Sequence, residues 1–138
     1  MLEELKDSVD WSRLHFTGML PQKTMRDTLR LSRAHVYLSY PFVLSYSPVE
    51  AMLCAAPLVL SDTVPCREIA DHEVEALFVD FHSPAQIAEA VIHLLQEPLL
   101  ALRLGVAARE RAMREYDLDV WLPRWIKMID DLANKKSN

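Results

Sequence analysis

Glycine is almost absent from this chain: Gly18 and Gly105 are the only two in 138 residues. Left-handed backbone positions and close approach of backbone to a phosphate are therefore not readily provided by residues lacking a Cβ. Cysteine is as scarce. Cys54 and Cys66 have no paired Cys or His spacing of the zinc type, and two cysteines make no disulfide framework, so both read as small buried hydrophobes. His15, His35, His72, His82 and His93 share no ligand spacing, which excludes a histidine metal centre. Lys and Arg are scattered and the formal net charge is -5, leaving no cationic surface for a phosphodiester backbone, so nucleic acid is excluded as a partner. No apolar run approaches the ~18 residues of a membrane span. Met1 to Asp10 is acidic and amphipathic rather than a basic, apolar signal peptide, and the chain reads as intracellular. No Ser-His-Asp or Cys-His constellation, internal repeat or low-complexity linker is visible.

What is present is ordinary globular material, 51% hydrophobic and 25% charged, of a length that suits one domain spanning 1–138. The most informative stretch is Ala34 to Ile69, AHVYLSYPFVLSYSPVEAMLCAAPLVLSDTVPCREI. It carries two buried-strand patterns, a Ser-Pro-x-Glu helix start between them and a second helix start led by Pro65. Such a strand-turn-helix-strand-turn-helix unit gathers loops and helix beginnings at one edge of a parallel sheet, where ligands of open α/β folds collect.

Along the chain, Leu2 to Val9 has helix-like apolar spacing, and Leu14 to Thr17 reads as a short strand ending at Gly18. Thr24 to Ser32 places Met25, Leu29 and Ser32 on one helical face. Ala34 to Leu38, Pro57 to Leu60 and Leu77 to Val79 are the further strand candidates, making four. Ser83-Pro84-Ala85-Gln86 has the form of a capping box, in which Ser at the cap and Gln at the third helical position satisfy each other's backbone N–H. A helix should run from there to about Gln96. Pro98 opens another, reaching the neighbourhood of Tyr116. From about 118 to 133, Trp121, Leu122, Trp125, Ile126, Ile129 and Leu132 keep the spacing of an amphipathic helix. Alternation of this kind implies α/β architecture: a partial doubly wound, Rossmann-like parallel sheet with helices on both faces.

From Arg13 to Tyr116 the chain resembles the C-terminal, donor-binding half of the retaining GT-B glycosyltransferases that use nucleotide sugars, glycosyltransferase group 1 or family 4. The resemblance is carried by HFTGMLP at His15 to Pro21, AHVYLSYPF at Ala34 to Phe42, VEAMLCAAPLVLSD at Val49 to Asp62, and the helix start from Pro65 to Ile69. In family form these read V-x-F-x-G-x-x-P, A-D-V-x-V-x-P-S, E-A-M-A-x-G-x-P-V-V and P-x-x-E-I. The resemblance implies a transferase fold that works without metal or other cofactor. It also implies a cytoplasmic location, with the full-length parent peripheral to the inner membrane.

The family's signature is a pair of glutamates eight positions apart, the first facing the donor sugar and the second accepting from ribose hydroxyls. Glu50 matches the second, whereas Phe42 stands where the first would be. Ser45 and Ala56 replace family glycines, and His72 and Glu75 also sit where glycine is common. The Arg and Lys that neutralise the diphosphate in the family come from a segment before the strand at Leu14 to Thr17. An acceptor-binding domain precedes that segment. Neither has a counterpart in this sequence, so two strands of the usual ~6, in the order 3-2-1-4-5-6, are missing between Leu14 to Thr17 and Ala34 to Leu38.

Each candidate residue has two readings. Glu50 is either the third helical residue of a Ser47-Pro48-Val49-Glu50 capping box, bonded back to the Ser47 N–H, or a ribose ligand. Ser45, Tyr46 and Ser47 either form a turn or hold phosphate and sugar oxygens at a helix N-terminus. Gly18 and Met19 make a turn, or lie against the base as the resemblance implies. The expected function is the donor-binding part of an enzyme moving sugar from a nucleotide diphosphate sugar to an acceptor hydroxyl, inactive as this chain alone. The alternative is a non-catalytic module that keeps the fold for association, including homodimerisation through an unpaired sheet edge or through a partly bare Trp121 and Trp125 stripe.

Overall fold

The computed structural model describes residues 9–40 and 43–135. A one-turn 3-10 helix at Trp11–Arg13 precedes α1 (Gln22–Leu31), β1 (His35–Tyr37), α2 (Tyr46–Leu53), β2 (Leu58–Ser61) and α3 (Val64–Ile69). The chain continues through β3 (Ala76–Val79), α4 (Pro84–Gln96), α5 (Pro98–Glu115) and α6 (Leu118–Lys135). The three strands form one parallel sheet in the order β1-β2-β3, with Val36 beside Val59 and Val59 beside Leu77.

Strand periodicity sends alternate residues to opposite faces, and each face has its own core. Tyr37, Leu58, Leu60, Ala76 and Phe78 pack with Leu29 of α1, Ala51 and Met52 of α2, Cys66 and Ile69 of α3, and Ala108 and Ala112 of α5. On the other face Val59, Leu77 and Val79 meet Ile87, Ala90, Val91 and Leu94 of α4 and Ala101 and Leu104 of α5. β2 is buried throughout, because it alone has a strand on each side and helices on both faces. α5 contributes its first half to one core and its second half to the other. Gly105 sits at the change of sides, so close to the end of α2 that a Cβ there would stand 2.3 Å from the Ala55 carbonyl oxygen. Cys54 and Cys66 are free and buried.

The strand expected at Leu14 to Thr17 does not form. The residues are extended, yet Phe16 is 80% exposed and Met19 fully so. A strand needs a neighbour to share its ladder, and none of the three described strands pairs with this segment. The described residues thus hold three strands rather than four. The spacing seen in Leu2 to Val9 falls outside the described residues except for Val9.

Left-handed backbone also falls one or two residues from the positions expected for glycine, although the family pattern counted from Glu50 does put its glycine on Ala55. Ala55 (φ 56°) and Glu73 (φ 61°) carry it, not Ala56, His72 or Glu75. Ala55 follows the C-cap of α2: its N–H reaches the Met52 carbonyl and the Ala56 N–H the Ala51 carbonyl, a Schellman closure whose left-handed position is usually glycine. Among the described residues no single helix is long and apolar enough to cross a membrane.

Candidate functional site at the carboxyl ends of the strands

β1 leads through Ser39 and Tyr40 toward α2, β2 through Asp62 and Thr63 into α3, and β3 through Asp80 to His82 into α4. The first loop is stitched to the middle strand by the buried Ser61 hydroxyl. It accepts from the Ser39 N–H and donates to the Ser39 carbonyl, both at 2.9 Å, with Cys66 Sγ 3.8 Å away. Tyr37 adds a second tie, its Oη accepting from the Ser45 N–H at 3.1 Å. Sequence reasoning passed over both residues. Ser61 shows only as a hydroxyl closing an apolar run, and Tyr37 as an ordinary strand residue.

α2 begins two residues earlier than the Ser47 capping pattern implies. Ser45 is the cap, its Oγ accepting from the Ser47 N–H at 3.1 Å, and Pro48 becomes the third helical residue. Glu50 consequently lies in the second turn, too far along to bond back to Ser47, and the reciprocal box does not form. Its side chain is half-buried, and no group among the described residues bonds its carboxylate. Ser45 and Tyr46 are exposed and Ser47 half-buried on the same opening turn. Gly18 adopts a left-handed turn (φ 58°) and is exposed with Met19, but no hydrogen bond or ring contact among the described residues links either to α2. Phe42 lies outside the described residues.

The Ser83 cap of α4 is likewise formed by half. Ser83 Oγ accepts from the Gln86 N–H at 3.3 Å, whereas Gln86 Oε1 accepts from Asp80 at the end of β3 instead of from Ser83. The Ser83 N–H is already held by the Asp80 carbonyl, which frees Gln86 to reach further back.

The charges at this edge are committed to one another. Arg67 grips Asp62 through Nε and Nη2, at 2.5 and 2.7 Å, and the guanidinium lies 5.7 Å from the centre of the Phe78 ring. The hydrogen bond from Arg67 is the main cause holding the Asp62 carboxyl below its ordinary value, and the same bond raises Arg67. Tyr40, Phe81 and His82 form an edge-to-face ring cluster with centroids 5.0 to 6.1 Å apart. His35 on β1 has a buried Nε2 without a partner among the described residues, and burial pushes its pKa down. Glu75, which sequence comparison placed at a glycine position, is buried and accepts from the Asp71 N–H and from Arg111, which also holds Asp71 and Glu115. No group of three metal-ligating side chains occurs among the described residues.

Two clefts lie elsewhere. One of about 300 Å³ is lined by His72, Phe78, Gln86, Glu89 and His93 beside β3; another of about 240 Å³ is lined by Arg33, Pro57, Leu94, Pro98 and Leu102. Neither includes Glu50 or the Ser45 to Ser47 turn.

A parallel sheet with helices on both faces and helix beginnings at the strand ends defines a partial, Rossmann-like α/β domain. Within that class the chain belongs to the glycosyl transferases group 1 family, whose model matches residues 2–111. It is 31% identical over 121 residues to alpha-maltose-1-phosphate synthase of Mycolicibacterium smegmatis, a match covering 83% of this chain and 30% of that protein. The sucrose-phosphate synthase of Thermosynechococcus elongatus shares the fold at a TM-score of 0.90 with 19% identity, over 97% of this chain and 34% of its own. Anabaena Alr3699/HepE in complex with UDP does so at 0.83 with 16% identity, over 94% and 36%, and has also been solved with UDP-glucose. The chain thus spans about a third of the length of these three proteins.

Proposed function

We propose that this chain is the donor-side portion of a glycosyltransferase that moves a sugar from a nucleotide diphosphate sugar to an acceptor hydroxyl. The observation that carries the reading is the Glu50 carboxylate, half-buried near the start of α2 and bonded by no described group. A carboxylate there suits ribose hydroxyls, which donate, better than phosphate, which it would repel. The opening turn from Ser45 to Ser47 would face the phosphates with first-turn N–H groups and hydroxyls, and Gly18 and Met19 would border the base. Alr3699/HepE, solved with UDP and with UDP-glucose, supports this ligand class.

In this reading the chain on its own binds and does not turn over. Charge building on the departing diphosphate needs a cation aimed at it, and Arg67 is engaged by Asp62. The test is calorimetric titration of the 138-residue protein with uridine and guanosine diphosphates. Millimolar or tighter binding of one of them, weakened at least about tenfold by Glu50→Gln, is expected; one lost charge-assisted bond is worth about that much. No heat with either nucleotide, or turnover of a nucleotide sugar by the chain alone, would count against it.

A second reading, an association module that keeps the fold, is favoured by α6. From Leu118 to Asn134 none of its residues is buried, and Trp121, Trp125, Ile129 and Leu132 are all exposed. A bare stripe of that size is more often an interface than a solvated face.

A further inference from the structure

The sequence offers α2 two places to begin. Ser47-Pro48-Val49-Glu50 supplies a serine cap, proline at the first helical position and glutamate at the third, so both halves of a capping box are present. Ser45 supplies less. Three residues after it stands Pro48, which has no side-chain group to return a bond, so the Ser45 cap works in one direction only. Judged on the segment alone the helix should start from Ser47, yet it starts from Ser45.

The two starts differ in what becomes of Glu50. Under a Ser47 cap its carboxylate would be third in the helix and would accept from the Ser47 N–H, closed on its own backbone. Under the Ser45 cap Glu50 is the fifth helical residue, in the second turn, and the Ser47 N–H is taken by Ser45 Oγ at 3.1 Å. What tips the choice comes from outside the segment. Tyr37 Oη accepts from the Ser45 N–H at 3.1 Å, and among the described residues no other hydrogen bond reaches Ser45 to Ser47 from beyond that turn. The sheet sets where this hydroxyl stands: Tyr37 pairs with Leu60 in the ladder, and its ring packs against the core that also receives Leu44 and Val49 on either side of the turn.

We infer that Tyr37 is a positioning residue for Glu50: by holding the Ser45 N–H, its hydroxyl selects the helix start that leaves the carboxylate free for ribose hydroxyls. This rests on the donor reading and adds the residue that keeps that site open. Without the Tyr37 hydroxyl the Ser45 N–H loses its acceptor, while the Ser47 start keeps both bonds of its box. The balance then passes to Ser47, the first helical residues Tyr46 and Ser47 leave the helix, and Glu50 turns back on the chain.

Tyr37→Phe removes the hydroxyl and keeps the ring in the core. Two readouts on the 138-residue chain test the inference: the backbone Cα chemical shifts of Tyr46 and Ser47, helical in the parent, and calorimetric titration with uridine and guanosine diphosphates. Tyr37→Phe should move both shifts out of the helical range and weaken nucleotide binding at least about tenfold, as Glu50→Gln does. In a Ser47→Ala background, where no box can form, the same substitution should leave the shifts helical and cost less than about twofold in affinity. A merely structural role of the tyrosine, or a direct contact of its hydroxyl with the ligand, would not depend on Ser47 in this way. Shifts unmoved by Tyr37→Phe, or an affinity loss equal in the two backgrounds, overturns the inference. Failure of both diphosphates to bind the parent sinks the donor reading, and the Cα shifts still uphold or overturn Tyr37 as the residue that sets the start of α2.

Discussion

Ala55 holds a left-handed backbone with a side chain that disfavours it, a strain of about 1 kcal/mol. Ala55→Gly is expected to raise the melting temperature by a few degrees in a thermal scan, the relief exceeding the entropy that glycine adds to the unfolded chain. Gly105→Ala should act in the opposite direction. Its Cβ would collide with the Ala55 carbonyl, a backbone atom that cannot swing aside, and the loss expected in urea titration is about 3 kcal/mol or more. His35 gives the chain a pH dependence. Burial lowers its pKa below the ordinary 6.5, so just under that value the unfolded chain binds a proton that the folded chain does not. Stability therefore falls as the pH drops from about 6.5 to the folded value and then levels off; urea midpoints at pH 7 and pH 5 should lie closer together in His35→Leu than in the parent. Sequence reading located the need for left-handed backbone to within two residues and no better. The position is set by where α2 ends, and the family pattern counted forward from Glu50 puts its glycine on Ala55, one residue before the Ala56 to which it was assigned.

The legible elements were those whose signal is long. α4 and α5 announce themselves through Pro at the start, and all three of α4, α5 and α6 through repeated apolar spacing over a dozen or more residues, and their observed bounds match the expectation closely. β1, β2 and β3 were legible as apolar runs. Leu14 to Thr17 was not, because an extended apolar tetrapeptide is a strand only if something pairs with it. The start of α2 was misplaced for a related reason: Ser45 and Ser47 are both fit to cap, and the choice fell to the one whose N–H the Tyr37 hydroxyl could hold. Ser45→Ala should destabilise the chain by about 1 kcal/mol in urea titration and Ser47→Ala by distinctly less; equal losses would restore the Ser47 cap. At the centre of the fold, Leu104→Ala is expected to cost about 2 to 5 kcal/mol, since that side chain is fully enclosed between α5 and the sheet.

At the scale of the whole molecule the fold was readable and the site only in part. The spacing around Glu50 pointed to a family and to one residue, but it could not say whether that carboxylate was already occupied by its own helix. That depended on the first turn of α2, which sequence reading had placed two residues late. α6 buries none of its residues from Leu118 to Asn134, so a chain ended after Asp117 should unfold within a few degrees of the 138-residue protein; a drop of about ten degrees would show that the helix supports the rest. Two of the three tryptophans stand on that helix, with Arg124 lying 5.0 Å from the centre of the Trp121 ring. Intrinsic fluorescence is therefore weighted toward the one element that the remainder leaves bare. A red emission maximum open to acrylamide quenching signals a naked α6, and a blue shift on mixing marks whatever comes to cover it, without any label having been attached.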